Sequence, residues 1–276
     1  MYRQSLKYRK RRIRHGVNGI IGNNLQPKKW VFIIGCYNSG TTLLRDILSS
    51  HFEINALQRE GVELCSQLPR PEEIGWPRMW HKCPGYLRIP TNGSHARARK
   101  IKRQWSHYVS DQGLIVEKSI SNMLRLDFLS KYFQPAYFIH IVRNGFAVSE
   151  GIRRRSQPNK WGSVYKTYPI ELCAKQWVAS DEMIRLAKSN LPNLLEISYE
   201  ALTENTKKTL SSISDFLEIQ TFEAKVYKQN WEIHGIRSQI RNMNVESFAK
   251  LSQVEIQKIE MVAKKSLSEY GYRIEQ

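Results

Sequence analysis

Trp30-Val31-Phe32-Ile33-Ile34-Gly35-Cys36-Tyr37-Asn38-Ser39-Gly40-Thr41-Thr42-Leu43-Leu44 reads as a strand, a glycine loop and a helix in immediate succession. Trp30–Ile34 is apolar without alternation, the pattern of a strand buried on both faces of a parallel sheet. Across Thr41–Ser50, Leu43, Leu44, Ile47 and Leu48 fall on one helical face. Glycines let Gly35–Gly40 turn tightly, and the helix start offers N–H groups and a positive dipole end to an anion. Thr41 and Thr42 add hydroxyl donors there. The loop has the spacing of a GxxxxGK[ST] phosphate loop, but Thr41 stands where the lysine that reaches the β- and γ-phosphates would be. That change argues against a nucleoside triphosphatase or an ordinary kinase, as does the lack of a clear strand-end aspartate for magnesium.

Working outward, Gly113–Glu117, Tyr137–Val142 and Asn193–Ser198 are three more candidate buried strands. Helical patterns cover Asn122–Phe133, Phe146–Arg155, Ile170–Ser189, Thr203–Leu217 and Ser252–Leu267. Alternating strands and helices predict a three-layer α/β/α domain around a central parallel sheet. Pro69–Asp111 breaks the alternation with five prolines, three tryptophans and the basic cluster Arg97, Arg99, Lys100, Lys102 and Arg103. It reads as an insertion, either a lid or acceptor-binding wall or an ordinary surface excursion.

The 276 residues suit one α/β domain, here 30–276, preceded by a basic head over 1–29. The net charge is +18, and half of the excess lies in Met1–Lys29, which holds nine Lys and Arg and no acid. Such a head reads as a disordered tail or as an electrostatic tether to an anionic membrane or polysaccharide. Four scattered cysteines form no zinc pattern and fit a reducing compartment. No apolar run spans a bilayer and no signal-peptide core follows the basic head. A cytoplasmic protein, with peripheral membrane contact as an option, is the expectation; a lumenal origin stays open.

Three further segments belong with the loop. Tyr137–Val142 ends in Arg143-Asn144-Gly145, an arginine at a strand's carboxyl end, where open α/β sheets bind ligands and where a guanidinium fork suits a phosphate. Val116-Glu117-Lys118-Ser119 closes an earlier strand, and Glu196-Ile197-Ser198-Tyr199-Glu200-Ala201-Leu202 with Asp215-Phe216-Leu217 follows a later one.

Together with Ser39-Gly40-Thr41-Thr42-Leu43-Leu44-Arg45, these segments resemble the sulfotransferases that use 3′-phosphoadenosine 5′-phosphosulfate (PAPS), closest in style to Golgi-type, bacterial and tyrosylprotein enzymes. The likeness runs from about Trp30 to Tyr272, ending on Glu269-Tyr270-Gly271-Tyr272. It implies sulfuryl transfer to a hydroxyl, release of adenosine 3′,5′-bisphosphate and no metal. It implies that Asn38, Ser39, Gly40, Thr41, Thr42 and Leu43 hold the 5′-phosphosulfate, that Arg143 holds the 3′-phosphate, and that Tyr199 lies near the nucleotide. The family's loop carries Lys or Arg where Asn38 stands, so Lys118 is the candidate for the missing catalytic cation. The family's serine eight residues beyond the arginine is replaced by Gly151, leaving Ser149 as the candidate 3′-phosphate contact. Arg237 and Arg241 are candidates for a loop that closes over the nucleotide. Glu60 is the candidate base, with Glu63, Glu53 and His51 as competitors.

The acceptor stays open among carbohydrate, protein tyrosine, lipid and small molecules. The alternative functions are a P-loop nucleotide kinase and a basic polyanion- or nucleic-acid-binding protein; no recognised nucleic-acid motif supports the latter.

Overall fold

The computed structural model describes residues 16–233 and 235–274. Five parallel strands form the sheet in the order β2-β3-β1-β4-β5: β1 Lys29–Gly35, β2 Ile54–Ala56, β3 Leu114–Lys118, β4 Ala136–Val142 and β5 Leu194–Ser198. The four strands expected from apolar runs are all present, but β5, expected to be buried, is an edge strand in which only Ile197 is buried. The fifth, β2, is a three-residue edge strand with little apolar pattern of its own.

Alternation along β1 divides the core. Trp30, Phe32 and Ile34 enter one layer with Trp105, Phe133, Phe138 and Trp177, while Val31 and Ile33 enter the other with Leu43, Leu44, Ile47 and Ile141. Helix α1 (Thr41–Ser49) covers the second face. The first face is covered by α2 (His95–Trp105), α3 (Leu126–Tyr132), α4 (Gly145–Ser156) and α5 (Ile170–Ala187). Two short helices, α6 (Tyr199–Glu204) and α7 (Thr206–Leu217), follow β5 where the sequence pattern reads as one. Helix α8 (Asn244–Phe248) precedes the C-terminal α9 (Gln253–Tyr270), which starts on a capping box from Ser252 and Glu255. The expected helix over Asn122–Phe133 is instead a 3₁₀ turn, Ile120–Leu124, followed by α3.

Pro69–Asp111 is built into the core. Trp105 is fully buried, tilted against Trp30 at 5.9 Å between ring centroids, and donates through Nε1 to Gly61 O at 3.1 Å. Met79, Trp80, Leu87 and Ile101 are buried with it. The folded part also begins earlier than Trp30. A helical turn over 16–21 precedes Asn23, whose N–H donates to Ser106 Oγ, and Leu25 is buried. Most of the proposed tether, residues 1–15, lies outside the described residues.

Register brings the functional ends together. Ile33 pairs with Lys118 and Gly35 with Ile141, so the loop after β1, the end of β3 and the end of β4 share one edge of the sheet. No helix among the described residues is long and apolar enough to cross a membrane.

Candidate active site

At that edge lies a cavity of about 350 Å³. Its walls come from the β1–α1 loop, the β3 end, the start and inner face of α4, Tyr199, the 60–78 segment, Trp161 and the 231–250 segment.

The loop delivers α1 with its first turn open: no side chain caps the helix and no acid occupies its first turn. Thr41, Thr42 and Leu43 line the cavity. Gly40 makes this possible. Its φ is 92°, in the left-handed region, and a Cβ there would stand 2.6 Å from Tyr199 Cδ2. Ser39 is placed differently from the expectation. It is buried, it is not part of the cavity wall, and its Oγ has no partner.

Arg143 is held firmly beside the loop. Its Nη1 donates to Asn38 O at 2.9 Å, its Nε to Asn244 Oδ1 at 2.8 Å, and its guanidinium lies 4.1 Å from the centre of the Tyr199 ring. Burial lowers its pKa, and the neighbouring Tyr199, Glu200 and Glu150 oppose that shift. Tyr199 is clamped through its hydroxyl, which donates to Arg241 O at 3.2 Å and accepts from Met243 N–H at 3.1 Å. Glu200 organises the same corner by accepting from Asn144 N–H, Asn244 Nδ2 and the Tyr272 hydroxyl.

Helix α4 shows Ala147, Gly151 and Arg154 to the cavity, the i, i+4, i+7 spacing of one face. Ser149, two residues from Gly151, is turned roughly 200° away from it around the helix. Its hydroxyl donates back to Gly145 O at 2.7 Å, and it is fully buried, so it is corrected from ligand contact to interior residue. At Gly151 a Cβ would lie 2.9 Å from Asn38 Cγ, so the side chain of Asn38 occupies the room that a larger residue would need. Arg237 is also corrected: it sits exposed in the hairpin of β6 (Trp231–Ile233) and β7 (Ile236–Ser238) and is not part of the wall. Arg241 does line the cavity, paired with Glu246.

On the other side of the loop, Lys118 is nearly buried and its Nζ meets Glu60 Oε1 at 2.7 Å. Behind them Glu117 is fully buried, accepting from Gly61 N–H at 2.8 Å and from Ser119 and Asn122. Burial pushes its pKa up to about 7, against the pull of the Ser119 and Gly61 hydrogen bonds. Of the competing bases, Glu63 lines the cavity but is engaged by Arg59 and Arg70. His51 and Glu53 sit at the far end of α1 against Gln220, away from the cavity.

Sequence reasoning gave no site role to Glu72, Arg78, Arg155 and Trp161, which also line this wall. Burial raises the Glu72 pKa, with Glu60 adding to the shift. Burial, with Arg154 and Arg78 adding to it, lowers the Arg155 pKa to about 10. Among the described residues, four buried donors on the cavity wall have no hydrogen-bond partner: Asn38 Nδ2, Arg143 Nη2, Trp231 Nε1 and Arg70 Nε, the last of which has only Glu73 at 3.6 Å. Unpaired buried donors beside arginines and an open helix start fit an anionic, ring-bearing ligand. No cluster of metal-ligating side chains occurs among the described residues.

The model of the sulfotransferase family matches residues 31–224. Among solved structures, the sulfotransferase domain from the curacin biosynthetic pathway superposes with a TM-score of 0.58 at 20% identity, over 91% of this chain and 100% of that one. The sulfotransferase domain from the Synechococcus PCC 7002 olefin synthase gives 0.55 at 20% identity, over 92% and 98%. A sulfotransferase from Mycobacterium avium gives 0.55 at 11% identity, over 95% and 81%. These likenesses show a shared fold. No curated protein matches the chain. With the family model spanning the sheet, the phosphate loop, Lys118, Arg143 and Tyr199, the chain belongs to the sulfotransferase family.

Proposed function

We propose that the protein transfers the sulfuryl group of PAPS to a hydroxyl of an acceptor held against the 60–78 wall. The observation that carries this reading is the joint between the lysine-free loop and Arg143, 105 residues apart, through Nη1 and Asn38 O at 2.9 Å. It places an open helix start and a fixed guanidinium on one cavity, as a nucleotide with phosphates at both ends of its ribose requires. Arg143 would hold the 3′-phosphate through Nη2. Trp231, Ile233 and Tyr199 line the apolar end suited to an adenine ring. The donor supplies a sulfuryl group on a good leaving phosphate.

The chain's own residues supply positioning, charge and a proton acceptor. Glu60 would take the acceptor's proton as the new O–S bond forms. The electron pair of the breaking S–O bond leaves with adenosine 3′,5′-bisphosphate. Protonation of Glu60 removes the negative charge that holds Lys118 at 2.7 Å, so the ammonium becomes available to the departing oxygens as their charge grows. Four free, buried cysteines support a reducing, cytoplasmic setting. A screen of hydroxyl acceptors with radiolabelled PAPS tests the function. Transfer of label to an acceptor supports it, whereas ATP- and magnesium-dependent phosphoryl transfer without PAPS turnover would replace it with a kinase.

A further inference from the structure

The phosphate loop carries no cation of its own: Asn38 precedes Ser39-Gly40-Thr41-Thr42, and Thr41 stands at the lysine position of a nucleotide-binding loop. A group passing between oxyanions needs positive charge where the bond breaks. Most cations on the wall are already engaged. Lys118 holds Glu60, Arg70 holds Glu63, Arg154 holds Glu150 and Arg241 holds Glu246. Arg143 is committed to Asn38 O and Asn244.

Arg155 and Lys250 also line the cavity and, like Arg78, have no carboxylate within ion-pair distance among the described residues. Of these three, Arg78 is the one bonded to the loop asparagine. It comes from Pro69–Asp111, on a backbone with φ of 59°, a conformation arginine rarely adopts. Such strain persists only where the surroundings impose it. Here the flanking residues Pro77 and Met79 are buried. The guanidinium lies 5.7 Å from the centre of the Tyr37 ring, and Nη1 reaches Asn38 Oδ1 at 3.4 Å. Asn38 thus turns its amide oxygen toward Arg78, leaving its Nδ2 buried and without a partner. The absent Cβ of Gly151 makes room for that amide.

We propose that Arg78 is the cation of the phosphate loop, supplied from the inserted segment and aimed by Asn38, and that it binds the 5′-phosphate end of the donor and stabilises the leaving phosphate. Asn38 is then a positioning residue and a hydrogen-bond donor, and Gly151 is its spatial complement. The inference rests on the sulfuryl-transfer reading of this cavity.

The test needs no acceptor. Dissociation constants are measured by titration calorimetry for AMP, adenosine 3′-monophosphate and adenosine 3′,5′-bisphosphate. Arg78→Ala is expected to weaken AMP and the bisphosphate by the same factor, roughly ten-fold or more for a lost charge-assisted bond, and to leave the 3′-monophosphate unchanged. Arg78→Lys is expected to recover part of the loss because the charge remains. Equal weakening of all three ligands, no weakening of any, or a lysine variant no better than alanine would overturn the assignment. If Arg78→Ala does not fold, Arg78→Gln, which keeps most of the stem, is read in the same way. A wild-type chain that binds none of the three would bring down the sulfuryl-transfer reading itself. Wild-type binding with an unchanged alanine variant brings down only the role of Arg78.

Discussion

Arg143→Ala offers the sharpest test of how the nucleotide is held. The substitution removes three native interactions together with the unpartnered Nη2: bonds of 2.9 Å to Asn38 O and 2.8 Å to Asn244 Oδ1, and the stack at 4.1 Å on Tyr199. Part of the effect therefore falls on the loop, and any ligand with a 5′-phosphate will feel it. The 3′-phosphate contribution is isolated by the ratio of the AMP and adenosine 3′,5′-bisphosphate dissociation constants, because loop damage enters both and cancels. A hydrogen bond to a charged group contributes about 1.5–3 kcal/mol, so the wild-type ratio should be roughly ten- to 150-fold and should collapse toward one in the variant. Arg143→Lys keeps the charge but loses the planar fork, so its ratio should fall between the two. Titration calorimetry at one fixed ionic strength reads all six constants. An alanine variant that keeps the wild-type preference for the bisphosphate would refute the assignment, whatever happened to the absolute affinities.

Other expected outcomes concern the acceptor side and the core. Glu60→Gln should lower kcat about 10²–10⁴-fold and Lys118→Ala about 10²–10³-fold at saturating PAPS; initial rates that survive both changes would remove the pair from the chemistry. The raised Glu117 pKa means that the unfolded chain loses this proton first as pH rises. Stability should then fall between about pH 4.5 and about pH 7, and denaturant titrations of Glu117→Gln should lack that slope of up to about 3 kcal/mol. Trp105→Ala should cost about 3–5 kcal/mol, read as a lowered denaturation midpoint, because a fully buried ring leaves a cavity against Trp30. A near-neutral result would return Pro69–Asp111 to the status of a surface excursion.

The sheet was legible because burial on both faces leaves a plain mark. The apolar runs at Trp30, Gly113 and Tyr137 needed no periodicity to be read; Asn193–Ser198 was found by the same pattern although β5 is a half-buried edge strand, and β2 was lost because three edge residues carry no such run. Helix boundaries failed where a local break left hydrophobic spacing intact. Asn205 separates α6 from α7, and the 3₁₀ turn at Ile120–Leu124 keeps its side chains as buried as an α-helix would. The inserted segment was ambiguous for another reason. Its prolines and basic residues left a lid or acceptor wall and a surface excursion equally open, whereas α2 turns Ala98, Ile101 and Trp105 to the core and lays Lys102 over the Trp30 and Phe133 rings.

The β1–α1 loop and the arginine after β4 were legible because backbone geometry ties them to sequence. A glycine with φ of 92° before a helix, and an arginine just past a strand, are local facts with local signatures. Ser149, the nearest serine to Gly151, lies off the cavity because a displacement of two residues on α4 crosses the helix. The 60–78 wall leaves no such signature. Glu60, Glu72 and Arg78 stand on irregular backbone, and what makes them neighbours of Lys118 and Asn38 is tertiary: the anchoring of Trp105 on Gly61 and the burial of Pro77 and Met79 around Arg78. A loop asparagine without a charge looks like a loss in the sequence. In the folded chain it is one member of a set with Gly151 and Arg78, and whether that set supplies the missing cation is decided by ligands that differ only in which phosphate they carry.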